Sequence, residues 1–474
     1  MTTITHRLLF FLHVVAISIY IYSPITNAAT INATSCSGTH VTAAITTAVS
    51  GDTVVVPSGT ATWSSSISIP SAKDLSIIGG GIDNTVITCS SGTCFTIAHE
   101  GSSSESRISG FTFNSGVFDM GGIDGTKPVR IDHNKFTSTS TLLTWSVAGW
   151  TSGIHPSVLF DNNVFHNHRI VVDGTKGELV EGDWQHELWE QEPPSGGWPY
   201  IVYIESNTIT TSGITANMPD AARGGRFVFR FNTIDDDYTE VHGVQGNVRA
   251  AQWWEIYHND YTNNPWTMMF IRGGSGLVFN NTSDADDGIR LNVERSCSSV
   301  STALRCNGSS PWDGNTPSGA GYPCRDQIGR SQDTSLWTVG DPYPDQEDTP
   351  AYIFNNKYGA NELSVILHND CSDQETYHTF EDRDYFIYES SFDGTSGVGA
   401  GVLGSRPATC TTGVGYWATD QGSWNADGDD GILYKCTSTD TWEQYYVPYD
   451  YPHPLIGGAS ASITGCTISG GSVQ

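Results

Sequence analysis

Acidic, basic and aromatic residues recur at fixed distances before a repeated asparagine, and their types suit acid–base work on a charged substrate. Two positions before the asparagine stand Asp161, Glu205, Arg230 and Tyr257; four before stands Glu255; six before stand Arg226 and Trp253. His242, Arg249 and Arg272 lie just beyond the same phrases. Asp161 and Glu205 offer the hard oxygens that Ca²⁺ prefers, and they are the expected metal ligands. Arg230, His242 and Arg249 are the expected catalytic groups, able to take a proton from carbon beside a substrate carboxylate that a cation neutralises. Arg226, Trp253, Glu255, Tyr257 and Arg272 would then line the substrate path. A second chemistry is open to the same face: Asp132, Asp161 and Glu205 form a series of carboxylates of the kind that hydrolyse glycosidic bonds in pairs.

For residues so far apart in sequence to meet, the chain must bring them into register, and it repeats itself. The phrase runs Arg130-Ile-Asp-His-Asn-Lys-Phe136, Leu159-Phe-Asp-Asn-Asn-Val-Phe165, Tyr203-Ile-Glu-Ser-Asn-Thr-Ile209 and Val228-Phe-Arg-Phe-Asn-Thr-Ile234. It continues as Glu255-Ile-Tyr-His-Asn-Asp-Tyr261, Leu277-Val-Phe-Asn-Asn-Thr-Ser283 and Tyr352-Ile-Phe-Asn-Asn-Lys-Tyr358. Three before the asparagine every copy is apolar (Ile131, Phe160, Ile204, Phe229, Ile256, Val278, Ile353), and two after it nearly every copy is. That alternation marks strands with one buried face. The asparagines (134, 163, 207, 232, 259, 281 and 356) sit between buried positions, so each amide must find partners inside, and the next coil's amide can supply them. Most intervals are 22 to 29 residues, one solenoid coil each. The long gaps from 163 to 207 and from 281 to 356 hold insertions.

The chain thereby resembles the right-handed parallel β-helix superfamily, the pectate-lyase-like fold, over roughly residues 37 to 395. "Gly51-Asp-Thr-Val-Val-Val-Pro57" is similar to the opening of such helices, with Ala43–Val49 as a short capping helix and first coils at Ile67–Ile69, Leu75–Ile78 and Val86–Cys89. Gly225-Arg-Phe-Val-Phe-Arg-Phe-Asn232, Trp254-Glu-Ile-Tyr257 and Gly321-Tyr-Pro-Cys-Arg-Asp-Gln-Ile-Gly329 are similar to secreted bacterial β-helix proteins without an assigned reaction. The resemblance implies an all-β fold, a single-stranded right-handed parallel β-helix with inserted loops, that handles a polysaccharide. Its lyases break uronate-containing glycans by β-elimination, usually with Lys or Arg as base. Its pectic hydrolases carry Asn-Thr-Asp, Asp-Asp, Gly-His-Gly and Arg-Ile-Lys phrases. Here Ile234 follows Asn232-Thr233, Val241 precedes His242, and no Arg-Ile-Lys occurs. A polysaccharide lyase is therefore the first expectation, a glycoside hydrolase the second. The third is a non-catalytic carbohydrate-binding or adhesin protein.

The rest of the chain sets the context. Of 474 residues, 51 are Asp or Glu and 22 are Lys or Arg, a net charge of −29 that argues against a nucleic-acid partner. Residues 1–28 read as a signal peptide, with Arg7 ahead of the apolar run Leu8–Tyr22, so the protein is expected to be secreted, with no membrane insertion after cleavage. Ten cysteines without a CxxC pair suit disulfides, with Cys89/Cys94, Cys297/Cys306 and Cys410/Cys436 as local clasps. The β-helix domain spans 29–395, with insertions at about 166–200 and 296–350. The first insertion brings Trp184 and Trp189, aromatic faces on which sugars stack. The aromatic segment 396–456 is expected to cap the end of the helix, and 457–474 to be a flexible tail.

Overall fold

The computed structural model describes residues 28–98, 105–123, 128–139, 141–149, 155–175, 201–243, 249–292, 326–333, 346–368, 379–428 and 430–457. The expected signal peptide up to residue 27, Trp184 and Trp189, Cys297, Cys306 and the tail from 458 lie outside the described residues.

Three long sheets share the solenoid, and the chain visits them in turn. The first holds twelve described strands, from Thr30–Asn32 to Tyr385–Ile387; the second eleven, starting at Gly59–Trp63; the third ten, from Ile67–Ile69 to Val365–His368. Strands pair in parallel with the same sheet's strand one coil away, as Val158–Asp161 pairs with Val202–Glu205. The one departure is the last pair of the second sheet, which is antiparallel. A helix over Gly38–Thr47, capped by Ser37, packs on the opening coils. The fold is thus an all-β parallel solenoid.

Each asparagine phrase makes the turn from first to second sheet. The residue before each asparagine (His133, Asn162, Ser206, Phe231, His258, Asn280 and Asn355) has φ between 50° and 58°, a single left-handed residue that swings the chain round. Behind it the amides stack. Asn163 Oδ1 accepts from Asn134 N at 3.0 Å and from Asn134 Nδ2 at 3.3 Å, and the pattern repeats through Asn207, Asn232, Asn259 and Asn281 to Asn356. The second amide hydrogen reaches a carbonyl of the preceding coil, as from Asn207 to Phe160 O at 2.9 Å. No water is needed to satisfy these buried groups, which is why an asparagine can stand in an apolar column. Beside the ladder the rings of Phe113, Phe136 and Phe165 stack at 5.4 and 5.1 Å.

The C-terminal segment differs from its expected place. Strands Val398–Gly401, Gly415–Ala418, Ile432–Ser438 and Thr441–Tyr446 form a separate sheet that lies along the outer flank of the first sheet instead of closing only the solenoid's end. The cause is apolar area. Trp417, Trp424, Leu433 and Tyr446 bury themselves on outward residues Tyr203, Val228, Tyr257, Leu277, Phe279, Tyr352 and Phe354, forming a second core. The disulfides Cys89–Cys94 and Cys410–Cys436 are present as expected; the second clasps this sheet. Disulfides fit an oxidising compartment, and among the described residues no helix is long and apolar enough to cross a membrane.

Candidate functional site

Most of the polar residues singled out by sequence fall beneath the C-terminal sheet. Their pairing is a ladder of ions: Arg107 with Asp132, Arg130 with Asp161 at 2.8 and 2.9 Å, and Arg230 with Glu205 at 2.6 and 2.7 Å. Arg230 and Glu205 have no exposed side-chain surface. Arg230 also donates to Tyr257 Oη, Tyr449 O and Asp450 O, and it is ringed by Tyr203, Tyr257 and Tyr451. Glu205 accepts from His453 N at 2.8 Å. Burial pushes the Glu205 carboxyl up, and Arg230 opposes the shift. Glu255 takes the Trp253 indole N–H at 3.0 Å and the Tyr446 hydroxyl at 2.5 Å, and burial raises it to about 7. Arg226, buried and lowered to about 9 by desolvation, donates to Gln252 at 2.7 Å. Arg249 is wholly buried between Asp326 and Asp333, with contacts of 2.7 to 3.1 Å.

These residues fasten the C-terminal segment, or an inserted segment, to the solenoid. Arg230 and Arg249 are closed off from any substrate, and Trp253 and Tyr257 are core side chains. Asp161 and Glu205, the expected calcium ligands, do not fit the ion. Ca²⁺ takes roughly six to eight oxygens, whereas each of these carboxylates is matched to a guanidinium.

The third sheet gathers a different set. Along its outward face Asp220 is in register with Glu240, Glu240 with Phe270, and Phe270 with Arg290. His242 and Arg272 follow Val241 and Ile271, which are themselves paired. Between outward residues lie inward Ala221, Val241, Met269 and Ile271, so strict alternation holds each polar side chain away from the core. Gly243 lets the adjoining backbones close up, since a Cβ there would lie 2.4 Å from Arg272 O.

In this cluster His242 Nε2 is 2.5 Å from Asp220 Oδ1 and 3.2 Å from Glu240 Oε1. Arg272 pairs with Glu240, Arg169 with Asp220 at 3.5 Å, and Arg223 with Asp173 at 3.0 Å. Tyr238 Oη donates to Glu240 Oε2 at 3.3 Å. His242 Nδ1 is buried and, among the described residues, has no hydrogen-bond partner. Burial raises the Asp173 carboxyl against the pull of Arg223. Asp220, Glu240, His242 and Arg272 keep 6 to 9% of side-chain surface in solvent, where Arg230, Glu205 and Arg249 keep none. Three carboxylates and three guanidinium groups balance locally in a chain of net charge −29.

Of the expected site residues that are described, then, the fold joins only His242 and Arg272 on a face that keeps some surface in solvent. Asp173, Asp220, Glu240, Tyr238, Arg169 and Arg223 escaped the sequence reading. Columns counted from the asparagine fix the first and second sheets only. The link to the third sheet varies: Asp220 lies 13 residues after Asn207, Glu240 8 after Asn232, and Phe270 11 after Asn259. The usable signal was the short alternation Thr-Glu-Val-His242, Met-Phe-Ile-Arg272 and Ile-Arg-Leu-Asn292.

No family model matches this chain, and no curated protein does. Among solved structures, the Agl-KA catalytic domain is similar at 13% identity and a TM-score of 0.28, over 71% of this chain and 68% of that one. A protein of Geobacillus virus E2, ORF18, is similar at 13% identity and a TM-score of 0.23, over 55% of this chain; the match spans 57% of the viral protein's length. At such TM-scores neither likeness bears on fold or function, and the solenoid is established by the chain's own sheet pairing.

Proposed function

We propose that this chain is a secreted, carbohydrate-active protein of the right-handed, pectate-lyase-like β-helix kind that cleaves an acidic glycan by β-elimination on the outward face of the third sheet. The observation that carries the proposal is His242: one ring nitrogen is anchored on Asp220 and the other has no hydrogen-bond partner among the described residues. A carboxylate that fixes one nitrogen orients the imidazole so that the other can act as base. The His242 imidazole, which keeps 9% of its side-chain surface in solvent, takes the C5 proton of a uronate ring. The electron pair forms the C4–C5 double bond, the C4–O bond breaks, and the leaving oxygen takes its proton from the imidazolium. Arg272, Arg223 and Arg169 are the local cations for the uronate carboxylate, whose neutralisation acidifies the C5 hydrogen. Calcium has no step here. The mixed set Asp220, Glu240 and His242, with Arg272 on Glu240, suits a hard dication poorly.

A second reading, glycoside hydrolysis, draws on Asp220 and Glu240. Their nearest oxygens lie no more than 4.8 Å apart, inside the roughly 5–5.5 Å between the carboxyl groups of retaining enzymes. The two are told apart by incubating the protein with uronate polymers and neutral glycans, with and without EDTA. Growth of the ultraviolet band of an unsaturated uronate, unchanged by EDTA and absent in His242→Ala, is the expected result. New reducing ends without that band would replace elimination by hydrolysis. Retention on a glycan with neither signal would leave a binding protein.

A further inference from the structure

Trp266 is 37% exposed, in a molecule that buries Trp63, Trp145, Trp253, Trp254, Trp417 and Trp424 almost completely. An indole exposed to that extent forgoes roughly a third of the 150–250 Å² or so that burying it would remove. Its surroundings hold it in a defined pose. Phe270 stands edge-on at 5.2 Å, Tyr238 edge-on at 5.5 Å, and the Arg290 guanidinium lies over the ring at 4.9 Å.

The same neighbours run straight into the polar cluster. Tyr238, against Trp266 on one side, donates to Glu240 Oε2 on the other. Phe270, also against Trp266, carries the Arg272 guanidinium over its face at 4.7 Å, and Arg272 pairs with Glu240. Phe270 sits one coil from Glu240, a step of roughly 4.8 Å, comparable to the advance of one sugar along an extended glycan. An aromatic plane with fixed edges, one coil from an acid–base cluster and flanked by guanidinium groups, matches a pyranose ring with charged neighbours. The C–H face of the sugar stacks on the indole and its carboxylates meet Arg290 and Arg272.

We infer that Trp266 is the stacking platform of a sugar subsite beside the His242 cluster, taking the ring next to the one that reacts. The inference rests on the proposed reaction for its place in the substrate path, but its test does not require turnover. Wild type, Trp266→Ala, Trp266→Phe and His242→Ala are run through gels containing polygalacturonate, alginate or xylan, and KM and kcat are measured on any polymer that is cleaved. Retardation by at least one polymer is expected, weakened at least tenfold in Trp266→Ala, largely restored in Trp266→Phe and kept in His242→Ala. On a cleaved polymer KM should rise about as much as binding weakens, with kcat within twofold. Trp266-dependent retention without cleavage would uphold the platform and discard the elimination reading. Cleavage with KM and retention untouched by Trp266→Ala would do the reverse. No retention and no cleavage by wild type on these three polymers would overturn the platform.

Discussion

Tyr446 donates its hydroxyl to Glu255 Oε2 at 2.5 Å, so a buried acid of the solenoid is held by the last strand of the C-terminal sheet. The Trp253 indole N–H donates to the other carboxylate oxygen, and the pair is sealed from water. What the sequence presents as an open charged flank is therefore the seam between two layers, and its titration governs how firmly they stay joined.

The first prediction concerns pH. Burial raises Glu255 from 4.5 to about 7, and Tyr446, Trp253 and Arg230 only partly oppose it. Between those values the folded chain holds a proton that the unfolded chain has released, so stability falls as pH rises through the window and is lowest above 7. At 1.36 kcal/mol per unit, Glu255 alone accounts for on the order of 3 kcal/mol. Asp237 and Glu105, each raised to about 7 by burial, act in the same direction. Urea midpoints should fall from pH 5 to pH 8. Glu255→Gln, which keeps an acceptor for Tyr446, should flatten the fall without removing it. An identical slope in the variant would show that Glu255 carries no such load.

The second concerns Arg230. Removing one partner of a buried ion pair leaves the other uncompensated, at a cost of about 3–5 kcal/mol. Arg230 also donates to Tyr449 O and Asp450 O, so its loss acts on the C-terminal segment first. Arg230→Met should expose cleavage sites between 396 and 457 to limited proteolysis while the solenoid stays protected. Arg230→Lys should not restore protection, because one ammonium cannot supply the same fork of donors. Equal protease resistance in wild type and Arg230→Met would assign the seam to other contacts.

The third concerns the ladder. Asn207→Leu leaves the main-chain N–H of Asn163 and the carbonyl of Phe160 without their partners, in a space shaped for an amide. Each orphaned buried group costs about 1–3 kcal/mol, so a loss of about 3–5 kcal/mol is expected in urea unfolding. A loss below about 1 kcal/mol would mean that the amides follow the fold instead of holding it.

That ladder was legible because its signal is local: one residue type, flanked by apolar positions at constant offsets, seven times over. The cover on the first sheet was half legible. Leu159, Tyr203, Val228, Leu277 and Tyr352 make an outward column that is apolar but for Arg130 at its start and Glu255 within it, and so apolar an outward column needs a cover. Its polar neighbours Glu205 and Arg230 read as a site in the sequence because acid–base chemistry and buried ion pairs use the same residue types. The third-sheet cluster was illegible by counting, since Asp220 and Glu240 reach register only after links of different length. His242 and Arg272 were reached from the sequence by residue type alone.

The last prediction separates chemistry from scaffolding at that cluster. His242 and Asp220 lie on the outward face, with the core beneath them formed by Ala221, Val241 and Ile271. Truncation there should leave the solenoid's packing intact. A positioned base contributes roughly 10²–10⁴-fold, so His242→Ala should lower turnover of a uronate polymer by that factor with an unfolding midpoint close to wild type. Asp220→Asn keeps the shape but cannot hold the imidazole as an anion does, and should lower kcat while leaving KM within about twofold. Because Asp220 acts through His242, the double variant should be little slower than His242→Ala alone. If the two losses multiply instead, Asp220 meets the substrate directly, and hydrolysis by the Asp220 and Glu240 pair becomes the better account of this face.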